Sequence, residues 1–587
     1  MSTNYSTEYA KWLEFEQLDP ELKEELVLIK DKDEEIQERF YGNIQFGTGG
    51  LRGILGAGTS RMNVYMIRKA TQGLAKSIEI ACRDKKLTCD EVIPSAVIAY
   101  DCRHKSRLFA EEAARVLAAN GIRAYVFREL QPTPTLSFAV RELQATTGIV
   151  VTASHNPPEY NGYKVYWSDG AQVASERANE IMDNIEAVED IFAIPLITLE
   201  DAEEQGLLVW LDTDGEVLES YFKHVEEIVL QPEMIQRQAE INPLKIVFTP
   251  LHGTTGKPLP RALERVGFSN ITIIKEQEHP DPNFSTVAFP NPEEPAAFEL
   301  ALSYAKDVDA DIIIGTDPDG DRLGVLTKGG QGDYVLLTGN QTGAILLEYI
   351  LSQRKAQGTL PANAIMIKTV VTSELGRVIA DNYGVETEDT LTGFKYIGER
   401  IEEYTQTGSK EFQFGYEESY GYLIKDFARD KDGIQAAVMA AEVAAYYKSK
   451  GKTLFRGLQE IYQRYGYYKE ALETISLKGL QGQQQILAMM TKLRKQPLKE
   501  VAGLVATEIA DYETSEKQLL MESNLTAIKL PKSNVIRYTL EDQSWFCVRP
   551  SGTEPKIKFY FAVQADTETE ADKKLESIRS FVIKHFT

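Results

Sequence analysis

Three stretches of the chain share one pattern of apolar and polar positions. Val97–Phe127, VIAYDCRHKSRLFAEEAARVLAANGIRAYVF, opens on a β-rich apolar run, continues with apolar residues at helical spacing, and turns at Gly121 into a second apolar run. Lys245–Ile274 does the same with a turn at Gly267, and Ala364–Thr390 with a turn at Gly384. A strand, a helix and a second strand, met three times, predict α/β units. Identity between the three is low, so the repetition is architectural and not a sequence repeat.

The flanks read differently. The first 42 residues (DPELKEELVLIKDKDEEIQERF among them) predict a charged helical pair. Ile434–Lys450, IQAAVMAAEVAAYYKSK, predicts a long helix stopped by Gly451. From about Asn534 apolar and polar residues alternate, then give way to the helical run ADKKLESIRSFVIKHF, which predicts a smaller α+β domain. The expected bounds are a helical extension over 1–42, α/β domains over 43–207, 208–330 and 331–452, and the α+β domain over 453–587.

Length and charge narrow the classes. A chain of 587 residues suits about four domains of roughly 150 residues. A net charge of −24 argues against a general nucleic-acid surface and against adhesion to anionic membranes, so a phosphorylated ligand needs a locally basic pocket. The four cysteines form no C-x-x-C pair and no disulfide framework, which fits a reduced, cytoplasmic setting. The polar, acidic N-terminus does not read as a signal peptide, and no stretch has the apolar length of a membrane span.

Four loops carry candidate chemistry. In GIVVTASHNPP, the apolar run ends at a turn holding Ser154, because Pro157 and Pro158 cannot continue a strand. Ala153 and His155 flank Ser154, so the G-x-S-x-G elbow of an acyl hydrolase is missing, and His155, as the adjacent residue, is expected to point to the other side. Read alone, this loop is equally well a plain turn. In GTDPDGDRLG, Asp317, Asp319 and Asp321 alternate after a buried strand. Arg322 and Lys328 stand where an EF-hand needs Gly and Glu, so the alternation suits Mg²⁺ on a tight loop. In FGYEESYGYLIKDFARDKDGI, Glu417 and Ser419 lie between glycines, where carboxylates can accept from sugar hydroxyls; alone this is an acidic surface loop. Lys431, further along it, is a candidate acid/base if burial lowers its pKa. In RPSGTEPKIKFY, Arg549, Ser551, Gly552 and Thr553 can cradle a phosphate, with Lys556 and Lys558 adding charge; alone this is a hairpin turn. FGTGGLRG lacks the third glycine of a dinucleotide fingerprint and HGTTGKP lacks the Walker spacing, so no nucleotide site is indicated.

TASHNP, DPDGDR, the G-x-E-E-S-x-G loop and RPSGTEPK, in that order, resemble the α-D-phosphohexomutase superfamily. FGTGGLRG, YDCRHKS, PNPEEP and TGFKYIGE are similar to it as well, so the resemblance runs from about Phe46 to the C-terminus. Length and the EES loop look most like the larger branch, which holds α-phosphoglucomutases and phosphopentomutases. The resemblance implies three similar α/β domains and a smaller α+β domain around a central cleft, with one loop from each. It implies a phosphorylated Ser154, one Mg²⁺ held by Ser154, Asp317, Asp319 and Asp321, and glucose 1,6-bisphosphate as activator. Arg52, His155 and Lys164 match basic residues near the phosphoserine, Lys431 a possible general acid/base, and Lys395 a cleft contact. Glu417 and Ser419 would then position the sugar, and the Arg549 loop a second phosphate. The family's sugar loop usually begins Gly-Glu; the intervening Tyr416 bears on sugar selectivity more than on the reaction. The implied partners are small sugar phosphates. Rival readings are a phosphopentomutase, a sugar-bisphosphate synthase, a metal-dependent phosphatase and a non-catalytic sensor. A sensor would be expected to lack Ser154 or a metal aspartate, and this chain has all of them.

Overall fold

The structure, a computed structural model, describes residues 5–47, 49–84, 93–477, 479–520, 524–551 and 556–586. The chain forms two compact units: Met1–Gly339 with Phe394–Gly415 and Ser419–Thr453, and Asn340–Gly393 with Tyr416–Glu418 and Leu454–Thr587.

In the first unit the charged N-terminal segment folds as three short helices, not the expected pair: α1 (Tyr5–Glu14), α2 (Pro20–Leu28) and α3 (Asp33–Phe40). The Asp19 carboxylate accepts from the N–H groups of Glu21 and Leu22, and Pro20 fills the first position of α2, where no N–H is needed. Trp12 of α1 is fully buried and meets Phe40, Tyr65 and Phe192 edge-on.

The first sheet has strands β1 (Gly50–Ile54), β2 (Ser95–Tyr100), β3 (Arg123–Phe127), β4 (Thr147–Val151), β5 (Tyr160–Trp167) and β6 (Leu208–Leu211), in the order β1-β5-β4-β2-β3-β6. β4, β2, β3 and β6 run parallel; β5 and β1 are antiparallel additions at one edge. The second sheet has β7 (Ile246–Thr249), β8 (Ile271–Ile273), β9 (Ile312–Thr316), β10 (Leu323–Lys328) and β11 (Tyr334–Leu337), in the order β11-β10-β9-β7-β8. All residues of β2, β4, β7 and β9 are buried, as expected of parallel strands covered on both faces. The helix Gly433–Ser449 is capped by the Asp432 carboxylate, and 13 of its 17 residues are buried, so its apolar sequence is that of a core helix.

In the second unit β12 (Ala364–Thr369) and β13 (Glu386–Thr390) pair in parallel around the helix Leu375–Tyr383. The three repeated stretches are thus three parallel pairs, β2–β3, β7–β8 and β12–β13. Their turn glycines Gly121, Gly267 and Gly384 have φ of 72°, 102° and 74°, the left-handed region where a Cβ is costly. The C-terminal part is an antiparallel sheet, with Tyr467–Ser476 paired along its length to Lys556–Ala565, under the helix Glu568–Phe586. Phe546, Phe559, Phe561, Ile578 and Val582 form its core.

Among the described residues, Cys102 and Cys547 are free thiols and Cys82 is disulfide-bonded. No described helix is long and apolar enough to cross a membrane.

Candidate active site

Two loops of the first unit meet at Ser154. One leaves the C-terminal end of β4, the other the C-terminal end of β9, the usual site of ligand loops on parallel sheets. Ser154 is 4% exposed with φ 51°, a left-handed conformation that costs a non-glycine residue about 1–3 kcal/mol unless its surroundings impose it. Its N–H donates to Thr152 Oγ1 at 2.8 Å, and its hydroxyl donates to Asp317 Oδ2 at 2.6 Å. His155 does not point away as expected: its Nδ1 lies 3.2 Å from Ser154 Oγ. The left-handed turn at Ser154 breaks the alternation of a strand and brings both side chains to one side. Arg52 on β1 reaches Asn156 of the same turn at 3.3 Å.

The alternating aspartates converge. Asp317, Asp319 and Asp321 are 0%, 0% and 2% exposed, and one carboxylate oxygen from each lies within 4.8 Å of the others. Asp317 Oδ1 accepts from the N–H groups of Asp321 and Arg322, and Asp319 Oδ2 accepts from Thr133 Oγ1 and Lys164 Nζ. Lys164 also lies 3.7 Å and Lys431 3.2 Å from Asp321 Oδ2. Asp319 Oδ1 and Asp321 Oδ1 are buried with no hydrogen-bond partner among the described residues. Buried carboxylate oxygens left over in this way, beside a serine hydroxyl, fit a hard divalent cation. Burial first, then the charges of Asp319 and Asp321, push Asp317 well above the usual carboxylate range. Burial opposes ionisation of Asp319 too, but Lys164, a hydrogen bond from Asp317 and Lys431 hold it below that range. The lysines are therefore counter-ions of the cluster as well as candidate phosphate contacts.

Backbone holds this loop in place. Thr254 N–H donates to the Pro318 carbonyl at 2.8 Å, Thr133 N–H to that of Asp319 at 2.8 Å, and Gly433 N–H to that of Gly320 at 3.1 Å. The HGTTG stretch, which lacks the Walker spacing, is a brace for the aspartate loop. A Cβ on Gly253 would lie 2.4 Å from Pro318 Cα and 2.5 Å from its carbonyl oxygen. Gly253→Ala is expected to cost about 1–3 kcal/mol of stability through overpacking, and to weaken divalent-metal binding. Urea unfolding and metal titration by calorimetry check both; wild-type metal affinity would show that the brace does not matter.

Positive charge also gathers near the serine turn. Glu293 of PNPEEP holds Arg322 in an ion pair. Burial first, then the guanidinium groups of Arg322 and Arg52, keep the His155 imidazole well below 6.5, so it is neutral at physiological pH. Lys431 Nζ is 2.9 Å from Asp430 Oδ1, and Asp430 Oδ2 accepts from the Tyr166 hydroxyl at 2.7 Å.

Lys395 begins the helix Phe394–Thr407 and is 6% exposed; burial, against the nearby Glu399, lowers its pKa to about 8. The unfolded chain binds this proton up to about pH 10.5, so burial of the charged amine costs stability below pH 8, and the cost fades between those values. Lys395→Met is expected to stabilise the protein by on the order of 2–3 kcal/mol at pH 7 and by much less at pH 10.5. Guanidinium unfolding at the two pH values measures it, and an equal gain at both would exclude the charge as the cause. Ser419, in the same unit, is half-buried in the turn before Tyr420.

The second unit carries the other candidates. Glu417 accepts from Gly393 N–H at 2.8 Å, and Glu418 Oε2 accepts from the hydroxyls of Thr369 and Thr372. Tyr416 is fully buried: a Cβ on Gly343 or Gly376 would lie 2.3 or 2.4 Å from its ring or hydroxyl. It is therefore a core residue filling the space two glycines leave, and the strand alternation then turns Glu417 to the opposite face. Burial works against the Arg549 charge, but Tyr560, Glu418 and Glu417 together raise its pKa. Ser551 N–H closes its hairpin on the Lys556 carbonyl at 2.8 Å. Gly552 and Thr553 lie outside the described residues.

Family models for the phosphoglucomutase/phosphomannomutase alpha/beta/alpha domains I, II and III match residues 43–191, 219–330 and 338–465, and the model for the C-terminal domain matches 489–578. The chain belongs to the phosphoglucomutase/phosphomannomutase family. The phosphoglucomutase of Staphylococcus haemolyticus is 37% identical over 530 residues, covering 90% of this chain and 92% of its own. That of Staphylococcus epidermidis is 38% identical over 545 residues, covering 92% and 95%. Among solved structures, the Paramecium phosphoprotein pp63/parafusin, a phosphoglucomutase in its open form, has a TM-score of 0.67 at 18% identity, covering 93% of this chain and 96% of its own. A phosphoglucomutase/phosphomannomutase family protein from Burkholderia thailandensis has 0.64 at 19%, covering 92% and 97%. At these identities the structures speak for the fold. Sequence reasoning left Asp101, Arg103, Thr133, Glu293 and Asp430 without roles. YDCRHKS and PNPEEP were visible signals for three of them, but their partners lie far along the chain.

Proposed function

We propose that this chain is a phosphoglucomutase that interconverts α-D-glucose 1-phosphate and glucose 6-phosphate through a phosphorylated Ser154. The observation that carries the reading is the Ser154 hydroxyl 2.6 Å from Asp317, inside a cluster with two unsatisfied carboxylate oxygens and a wall of cationic side chains. His155 Nδ1 lies 3.2 Å from Ser154 Oγ, but among the described residues no carboxylate is hydrogen-bonded to its imidazole, so the orienting member of an acyl-transfer triad is missing.

Mg²⁺ held by Asp317, Asp319, Asp321 and an oxygen on Ser154 would supply charge neutralisation at the transferring phosphoryl group. The phosphoryl group passes from Ser154 Oγ to O6 of glucose 1-phosphate: the Oγ–P bond breaks, the O6–P bond forms, and the O6 proton leaves to a base; Lys431, the candidate, is paired with Asp321 and Asp430 and takes that proton only once its ammonium has given up its own. The bisphosphate turns over, its 1-phosphoryl group returns to Oγ, and glucose 6-phosphate departs. Arg52 and Lys164 neutralise the phosphoryl oxygens, the neutral His155 imidazole donates a hydrogen bond to one of them, and Lys395, Glu417 and Ser419 hold the sugar. Arg549, with Ser551, Gly552 and Thr553, takes the distal phosphate. Glucose 1,6-bisphosphate primes an unphosphorylated Ser154.

Phosphorus NMR of the protein with glucose 1-phosphate, Mg²⁺ and a trace of glucose 1,6-bisphosphate tests this, with ribose 1-phosphate in a second tube. Conversion of the hexose without free phosphate is expected. Release of phosphate would indicate a phosphatase, and conversion of the pentose alone a phosphopentomutase.

A further inference from the structure

The mutase reading assigns Ser154 a task but does not say what imposes its left-handed conformation. Asp101 and Arg103, in the loop after β2, supply that. Arg103 donates to four backbone carbonyls of the serine turn: Nη2 to Ser154 and Asn156, both at 2.5 Å, and Nη1 to Pro157 at 2.8 Å and Tyr160 at 3.1 Å. Its side chain has no exposed surface, and its Nε lies 3.3 Å from the Asp101 carboxylate. Asp101 grips the other end of the turn, accepting at 2.6 Å from Thr152 Oγ1, the atom that accepts the Ser154 N–H. Both backbone polar groups of Ser154 are thus tied to one buried pair.

A third part keeps the guanidinium in place. Its central carbon sits 4.9 Å from the ring centroid of Phe284. Phe284 is itself at φ 50°, in a turn whose Asn283 and Ser285 N–H groups donate to Asp281. The same turn reaches the aspartate-loop brace, where Thr286 Oγ1 is 2.8 Å from His252 Nε2. Arg103 therefore lies between the serine turn and the segment that abuts the loop carrying Asp317.

We infer that Arg103 is a positioning residue for phosphoryl transfer: by holding the four carbonyls of the serine turn, it fixes Ser154 Oγ against Asp317. This rests on the mutase reading. An arginine is required because five N–H groups in a planar fork can serve carbonyls on two sides at once, whereas a lysine presents three from one point.

Arg103→Lys keeps the charge and loses the fork. It is expected to lower kcat by about 10²-fold, the effect of misplacing a reacting atom by roughly 1 Å. KM for glucose 1-phosphate should stay within about threefold, and Ser154 phosphorylation by glucose 1,6-bisphosphate, followed by intact mass, should slow in proportion to kcat. A merely structural arginine would reduce the folded fraction and leave kcat per folded molecule unchanged, and that result overturns the inference. If Arg103→Lys does not fold, Phe284→Leu decides. It removes the ring under the guanidinium without touching a hydrogen bond, and should lower kcat about fivefold at constant KM; unchanged kcat overturns the inference. Wild-type protein that interconverts no sugar phosphate would sink the mutase reading and this inference together, whereas active wild type beside an equally active variant sinks this inference alone.

Discussion

Ser154→Ala is expected to lose about 10⁴-fold or more in kcat/KM for glucose 1-phosphate, the scale of removing a covalent nucleophile. Stability should fall by about 1–3 kcal/mol, because the buried Asp317 carboxyl loses a hydrogen-bond donor. The substitution removes one oxygen and its bonds to Asp317 and His155, and leaves the backbone braces of the turn intact. The variant should also fail to take up phosphate from glucose 1,6-bisphosphate. A coupled assay for glucose 6-phosphate, intact mass and a thermal melt report the three quantities. Residual turnover above one part in a hundred, with the protein folded, would mean that the phosphoryl group rides elsewhere.

The second large effect separates function from stability. Asp317 is driven well above the ordinary carboxylate range by burial and by its two neighbours. Its folded pKa lies above the unfolded one, so in the metal-free protein its ionisation costs stability at every pH above the unfolded value. Asparagine can reproduce the neutral form, its oxygen accepting from the Asp321 and Arg322 N–H groups and its amide facing Ser154 Oγ. Asp317→Asn is thus expected to stabilise the metal-free protein at pH 7 by about 1–3 kcal/mol, as relief of an unfavourable buried charge does. That gain should vanish below about pH 4, where both states hold the proton. Metal-dependent turnover should fall about 10³-fold, since a charged ligand is gone. Melting curves in chelator at pH 7 and pH 4, beside the coupled assay, measure both. Destabilisation at pH 7 would show that Asp317 is ionised and well paired without metal.

The sequence carried its α/β units well, because apolar period and a turn glycine are local: all three predicted pairs form, with Gly121, Gly267 and Gly384 at positive φ. The alternating aspartates were legible for the same reason, since one tight loop holds all three. His155 was misjudged because a strand's alternation was carried one residue past the strand, into a left-handed turn that no single residue type announces. Tyr416 was read as an interruption of a loop, although its place against Gly343 and Gly376 makes it part of a core. Arg103 could not be assigned from spacing, because its partners lie 51 to 57 positions away along the chain.

The contacts that locate the aspartate loop run largely from main chain to main chain, at Thr254–Pro318, Thr133–Asp319 and Gly433–Gly320. Such docking is indifferent to most side chains around it. Neighbouring residues can drift, and the segment proposed to hold the sugar can be retuned for another hexose or a pentose, without moving the aspartate loop. What the arrangement does not tolerate is a single methyl group at position 253 or 433, where a Cβ would come within 3 Å of the loop's own backbone. Diversification of substrate choice is thereby uncoupled from the chemistry, and the freedom to diversify is bought with two hydrogen atoms where other residues would carry carbon.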